Sequence, residues 1–205
     1  MLLYAITDRR LLAPDEPGRQ KELLRLVKEW SKANIDYIQI REKDLSPAEL
    51  KTLTKQIVQA VRSESAQTTV LLNGPAEEAL AAGADGIHIT GNAPPQTTET
   101  ARQLYQQTGK TPILSQACHT VEEVEQATQA DLILYAPVFE KRTGAEIIPG
   151  QGLAALQQAC KAAKNIPVLA LGGVTTQNAH ACIQAGAAGI AAIRLFISND
   201  WRHLQ

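Results

Sequence analysis

A carboxamide, a guanidinium and an ammonium at every second position mark the first candidate chemistry in this chain: Gln39, Arg41 and Lys43 alternate within Gln39-Ile40-Arg41-Glu42-Lys43. Successive side chains on a strand point to opposite faces, so a strand running through this segment would aim all three one way. Two cations converging like this suit a diphosphate or a carboxylate. The competing use is local, with Arg41 absorbed by Glu42 or Asp44 in a surface ion-pair network. A second candidate is Gly172-Gly173, set directly after the apolar run Pro167 to Leu171. Paired glycines let backbone N–H groups approach an oxyanion closely; the plainer use is a tight turn. The third is His119, in Cys118-His119-Thr120, the one histidine followed by a helix-start signal. An imidazole takes and returns a proton near neutral pH; its plainer use is structural. His88, inside Gly86-Ile87-His88-Ile89, reads as structural, and His180 and His203 carry no signal.

Metal chemistry finds little support. There is no HxxxH and no paired-carboxylate spacing, and Asp8, Asp44 and Asp85 are dispersed. Cys118, Cys160 and Cys182 include no CxxC pair, so they read as free thiols in a reducing compartment.

The elements that must position these residues alternate regularly. Short apolar, β-branched runs at Leu2–Thr7, Tyr37–Arg41, Val70–Asn73, Gly86–Thr90, Ile113–Ala117, Leu132–Val138, Val168–Leu171 and Gly189–Ile193 read as eight strands. Helix signals lie between them. Lys21 to Ala33 has apolar residues at helical spacing, Ser46-Pro47-Ala48-Glu49 and Thr120-Val121-Glu122-Glu123 read as capping boxes, and Gly83 and Gly186 fall where helices should stop. Strand–helix alternation argues for a parallel sheet, and eight repeats argue for closure into a single-domain (β/α)8 TIM barrel over residues 1–205. An open doubly wound sheet is the rival.

In such a barrel, chemistry gathers where strands end. Each candidate above falls there. The ends of strands three, six and eight add Asn73, Lys141 and Thr143, and Ile193 and Arg194, to the residues expected to contact a substrate. Loops after strands seven and eight commonly hold phosphate in this architecture, which favours Gly172 and Gly173.

With 205 residues, 44% of them hydrophobic, the chain can bury a substantial core. A net charge of -1 gives no bulk electrostatic reason to expect nucleic acid or a membrane surface as partner. MLLYAITDRR is too short an apolar run for a signal peptide, and no stretch approaches a membrane span, so a cytoplasmic location is expected. A homo-oligomer is compatible with all of this.

Tyr-Ala-Ile-Thr-Asp at the start, Ile-Gln-Ile-Arg-Glu-Lys-Asp at strand two, Ala-Gly-Ala-Asp-Gly-Ile-His-Ile at strand four, Cys-His-Thr at strand five, Pro-Val-Phe at strand six, Leu-Gly-Gly-Val at strand seven and Gly-Ala-Ala-Gly-Ile-Ala at strand eight together resemble the thiamine phosphate synthase superfamily. The likeness runs along nearly the whole chain in order. It implies a triosephosphate-isomerase-like barrel in thiamine biosynthesis that binds a small thiazole phosphate. One branch, the synthase, joins a pyrimidine diphosphate to a thiazole phosphate with Mg²⁺. The other, a tautomerase, aromatises a thiazole phosphate carboxylate by proton shuttling and needs no cofactor.

Departures from the synthase pattern point to the tautomerase branch. The synthase's magnesium aspartate after strand three is Gly74 here, following Asn73. Its second, after strand four, falls in Gly91-Asn92-Ala93-Pro94-Pro95, which holds no carboxylate. A diphosphate-contacting serine is Ala117, and the lysine of the strand-six loop is missing at its position in Lys141-Arg142-Thr143-Gly144. His119 matches the histidine that resemblance assigns as acid–base group. Arg194 stands where both branches have a small residue near the phosphate. The expectation is therefore a metal-independent thiazole tautomerase with His119 as catalytic group; the alternatives are a Mg²⁺-dependent thiamine phosphate synthase and a non-catalytic protein that binds thiazole or thiamine phosphate.

Overall fold

The computed structural model describes residues 1–94, 96–143 and 146–204; the side chains of Arg142, Thr143 and Glu146 lie outside the described residues. Among the described residues, β1 (Leu2–Ile6), β2 (Tyr37–Ile40), β3 (Thr69–Leu72), β4 (Gly86–Ile89), β5 (Ile113–Cys118), β6 (Leu132–Tyr135), β9 (Val168–Leu171) and β10 (Gly189–Ala192) hydrogen-bond in the order β1-β10-β9-β6-β5-β4-β3-β2 and close into a barrel. This is the (β/α)8 architecture expected from the alternation. Strands β2, β3, β4, β6, β9 and β10 are buried at all positions but the ends of β2, β3 and β9. Strands covered on both faces read as continuous apolar runs, which is why they were visible in the sequence.

The helices are α1 (Glu16–Lys32), α2 (Pro47–Arg62), α3 (Ala76–Ala82), α4 (Thr97–Gln106), α5 (Val121–Gln126), α6 (Gly152–Ala162), α7 (Ala179–Gln184) and α8 (Arg194–Ile197). A short antiparallel hairpin, β7 (Lys141–Thr143) with β8 (Glu146–Ile148), interrupts the alternation where only a loop was expected. Helix α1 starts earlier than Lys21: Asp15 caps it through the Gly18 N–H at 3.3 Å, and proline in the first turn is tolerated because that N–H would have no partner anyway. The Ser46 capping box forms in both directions. At Thr120 only half forms. The hydroxyl accepts from the Glu123 N–H at 3.2 Å, but the Glu123 carboxylate turns to His119 instead.

Packing divides into two compact units. One holds Ala5–Ile89 and Pro94–Leu114. Its core includes Leu23, Leu26, Val27 and Trp30 of α1 and Leu53, Ile57 and Val61 of α2, all essentially inaccessible. The other holds Met1–Tyr4, Thr90–Ala93 and Ser115–Gln205. Its core includes Leu132 to Tyr135, Leu156, Leu169, Ile190, Phe196 and Trp201. Each large side chain fully buried contributes about 1.5–3 kcal/mol. Within this second unit Tyr4 and Ser115 share a buried hydroxyl–hydroxyl bond of 3.0 Å. No helix among the described residues is long and apolar enough to cross a membrane.

Candidate active site

The first unit carries the strand-two cations. Strand β2 ends at Ile40, one residue before Arg41, so the strict alternation expected through Lys43 stops early. Gln39 points into the buried interior, Arg41 is half-buried just past the strand, and Lys43 is exposed in a turn. Lys43 therefore does not share a strand face with Gln39 and Arg41. The departure has a visible cause. Thr7 grips β2 on both sides of Ile40: its N–H donates to the Gln39 carbonyl at 2.9 Å, and its hydroxyl accepts from the Arg41 N–H at 3.0 Å. Asn73 sits past the end of β3, with its N–H on the Ile40 carbonyl at 2.9 Å.

The ion-pair network considered for Arg41 exists, but around a different arginine. Arg9, which the sequence reading missed, is 2% exposed. Its guanidinium holds Asp44 through two bonds of 2.8 and 3.0 Å, Glu16 at 2.8 Å and Glu42 at 3.2 Å. Its backbone N–H also donates to both Glu42 oxygens. Burial pushes the Glu42 carboxyl up, against the pull of Thr7 and Arg9. The bond to Arg9 holds Asp44 below the usual carboxylate range. Arg41 is left without an ion-pair partner among the described residues. His88, on β4, is buried in this unit. Desolvation, helped by the charge of Arg41, pushes it down to about 3, so it is a neutral imidazole at physiological pH.

The second unit carries the histidine and the glycines. His119 follows β5 and is about half exposed. Its N–H donates to Glu123 Oε2 at 2.5 Å, and its Nδ1 lies 3.2 Å from the same oxygen. Gly91 makes room for the ring: a Cβ there would fall 2.9 Å from His119 Cε1. Neither Glu123 nor Gly91 was read as part of the site, though Glu123 was visible as a helix-start acid.

Gly172 and Gly173 turn directly out of β9 with φ of 94° and 65°. Their backbone lies against the segment after β6: the Val138 N–H bonds the Leu171 carbonyl at 2.9 Å and the Phe139 N–H bonds the Gly172 carbonyl at 3.0 Å. A Cβ on Gly172 would lie 2.7 Å from Pro137 Cβ, and one on Gly173 2.4 Å from the Glu140 carbonyl oxygen. Glycine is thus required twice over, by conformation and by contact. Asn178, also missed, ties the turn: it donates to the Gly173 carbonyl at 3.0 Å and accepts from the Thr175 N–H at 2.8 Å. The Gly173 N–H has no acceptor among the described residues, the condition an oxyanion cradle needs, while the Gly172 N–H continues the β9 ladder toward Ala191 of β10.

The remaining candidates are more scattered. Lys141 opens the β7–β8 hairpin; Thr143 closes β7, and its side chain lies outside the described residues. Strand β10 ends at Ala192, so Ile193 caps α8, and Arg194 is an exposed first residue of that helix rather than a strand-end residue.

The described residues at these strand ends do not fit a magnesium ion. Glycine follows Asn73, the turn from Thr90 to Pro94 has no acid, and Glu42 and Asp44 are held by Arg9. Among the described residues no three His, Cys, Asp or Glu side chains gather to hold a metal. A hard divalent cation prefers several oxygen ligands, usually anionic.

The family described as "Thiamine monophosphate synthase" matches residues 3–196. The chain is 31% identical over 198 residues to "Putative thiamine-phosphate synthase 2" of Aquifex aeolicus (strain VF5), covering 95% of this chain and 97% of that one. It is 32% identical over 199 residues to "Putative thiamine-phosphate synthase" of Geobacter sulfurreducens, covering 96% and 87%. Among solved structures it resembles "Thiamine phosphate pyrophosphorylase" from Pyrococcus furiosus with TM-score 0.75 and 28% identity over 96% of this chain and 87% of that one. With a family match over residues 3–196 and a relative 31% identical across nearly the whole of both chains, the chain belongs to the thiamine monophosphate synthase family.

Proposed function

We propose that this chain is a metal-independent thiazole tautomerase. Family membership makes it an enzyme of thiamine biosynthesis acting on small molecules; the choice of reaction within the family rests on its own residues. The observation that carries the tautomerase reading is the donor set: both positions where the synthase pattern has a magnesium carboxylate lack one, while His119 is kept and oriented by Glu123.

In this reading the turn at Gly172 and Gly173 presents the Gly173 N–H, and it and the N–H groups beside Ile193 and Arg194 bind the substrate phosphate. Gln39, Arg41, Lys43 and Asn73 are assigned to the rest of the ligand, Arg41 and Lys43 to its carboxylate, and Lys141 and Thr143 contribute from the hairpin. With the Nδ1 hydrogen donated to Glu123, Nε2 presents a lone pair. It takes the proton from the ring carbon, and the resulting imidazolium returns a proton to the exocyclic carbon. The double bonds shift into the ring between the two transfers, and no atom is gained or lost. Positioned proton transfer of this kind supplies about 10²–10⁴-fold in rate.

A specific observation favours a second reading. The relatives named above are described as synthases or a pyrophosphorylase, not tautomerases, so by name the comparisons favour a thiamine phosphate synthase. That reaction would have to neutralise a leaving diphosphate without the two aspartates. Two incubations separate the readings: the carboxylated thiazole phosphate tautomer with chelator, and pyrimidine diphosphate plus thiazole phosphate with Mg²⁺. Turnover only in the first supports the tautomerase. Turnover only in the second replaces it with the synthase, and tight binding without turnover in either replaces both with a binding protein.

A further inference from the structure

We propose that Arg9 is a positioning residue for the strand-two anion site, holding Glu42 and Asp44 away from Arg41 so that Arg41 keeps its charge for a ligand. This rests on the assignment of Arg41 to the substrate carboxylate.

Arg41 is flanked by acids in sequence, Glu42 next to it and Asp44 three residues on. On a solvated turn, either would be a competing counter-ion. Arg9 removes both. It grips Asp44 with the parallel two-bond geometry that only a guanidinium offers, at 2.8 and 3.0 Å. It meets Glu42 with its guanidinium and its own backbone N–H, where the carboxylate is wholly shielded from solvent. Its remaining edge is fixed to Glu16 in the first turn of α1 at 2.8 Å. One cation therefore gathers three carboxylates. The same junction sets the Arg41 backbone, because Thr7, two residues before Arg9, accepts from the Arg41 N–H at 3.0 Å. Glu42 is turned inward to Arg9 while the Arg41 N–H is held by Thr7, and the Arg41 side chain stays outside this cluster of ion pairs. A lysine at position 9 could not do the same, since a single ammonium cannot make the Asp44 fork and the Glu16 and Glu42 bonds together.

The test uses the full chain and reads calorimetric Kd for two ligands, the aromatic carboxylated thiazole phosphate and the same phosphate lacking the carboxylate, with KM and kcat alongside. R41A is the control for the underlying assignment, expected to weaken the carboxylated ligand at least about tenfold and the other much less; an unchanged Kd would refute that assignment by itself. R9M is expected to weaken the carboxylated ligand about fivefold or more and to raise KM while kcat stays within about twofold. R9K should fall between R9M and the native chain. The deciding variant is R9M/E42Q/D44N, which removes the acids together with their captor and should return Kd to within about twofold of native. Folded R9M with native affinity overturns the proposal. So does a triple variant as weak as R9M, because Arg9 would then touch the ligand or serve the fold alone. If R9M shows no cooperative melt, R9K and the triple variant decide on the same criteria.

Discussion

Replacing Gly173 with alanine should damage both stability and substrate binding, and Gly109 supplies an internal standard for how much. Both residues have positive φ, 65° and 73°. A left-handed conformation costs a non-glycine residue about 1–2 kcal/mol. At Gly109 that is the whole cost, because a new Cβ would meet nothing within 4 Å. At Gly173 the methyl would sit 2.4 Å from the Glu140 carbonyl oxygen and 2.7 Å from Phe139 Cβ. An ordinary contact needs roughly an ångström more, so backbone has to move, and overpacking of this kind adds about 1–3 kcal/mol. The expected losses are about 1–2 kcal/mol for G109A and about 2–5 kcal/mol for G173A. An unfolding entropy of about 2.1 cal/mol/K per residue over 205 residues converts these to roughly 2–5 °C and 5–12 °C in Tm. The assay is a pair of calorimetric melts plus KM for the phosphorylated substrate. KM should rise in G173A, whose N–H is assigned to the phosphate, and stay native in G109A. Equal Tm losses and a native KM in both would refute the close-packed cradle.

Other consequences can be measured directly. His88, pushed down to about 3 by burial and the charge of Arg41, takes up its proton more readily in the unfolded chain. Its contribution to stability is therefore complete above its ordinary value of 6.5 and is lost as pH falls toward about 3, a swing of a few kcal/mol that urea melts at pH 7 and pH 4 should show and H88N should reduce. Burial lifts the Cys118 thiol to about 12 and those of Cys160 and Cys182 to about 11, so a disulfide reagent at pH 8 should label the native chain slowly and all three thiols at once in denaturant. Glu123→Gln removes the carboxylate that orients His119 and should lower kcat about tenfold with KM unchanged, a smaller loss than removal of the acid–base group itself.

The barrel was legible because its strands are buried on both faces and its helices carry caps; Ser46, Gly83 and Gly186 each marked a boundary the structure keeps. His119 and the Gly172-Gly173 pair lie just past β5 and β9, as the apolar runs before them implied. What escaped were dependencies between distant segments. The alternation through Lys43 failed because Thr7 and Arg9, some 34 residues away in sequence, end β2 early and turn Glu42 inward. Arg9 follows the first apolar run within Asp8-Arg9-Arg10, and nothing local in the sequence says that it is buried while Arg10 stays on Asp8. Glu123 was read as a capping residue because its spacing from Thr120 fits one; in the fold the same carboxylate finds a better donor in His119. Arg194 was placed at a strand end because the apolar run continues to Ile193, but the chain has already turned into α8.

The most direct measurement is turnover of the carboxylated thiazole phosphate tautomer in D₂O with excess chelator, followed by NMR for the native chain and H119A. Native turnover without metal, with deuterium entering the exocyclic carbon, and a rate in H119A lower by at least about a hundredfold is the predicted result. Full turnover by H119A, or none by the native chain until Mg²⁺ and a pyrimidine diphosphate are supplied, would contradict it.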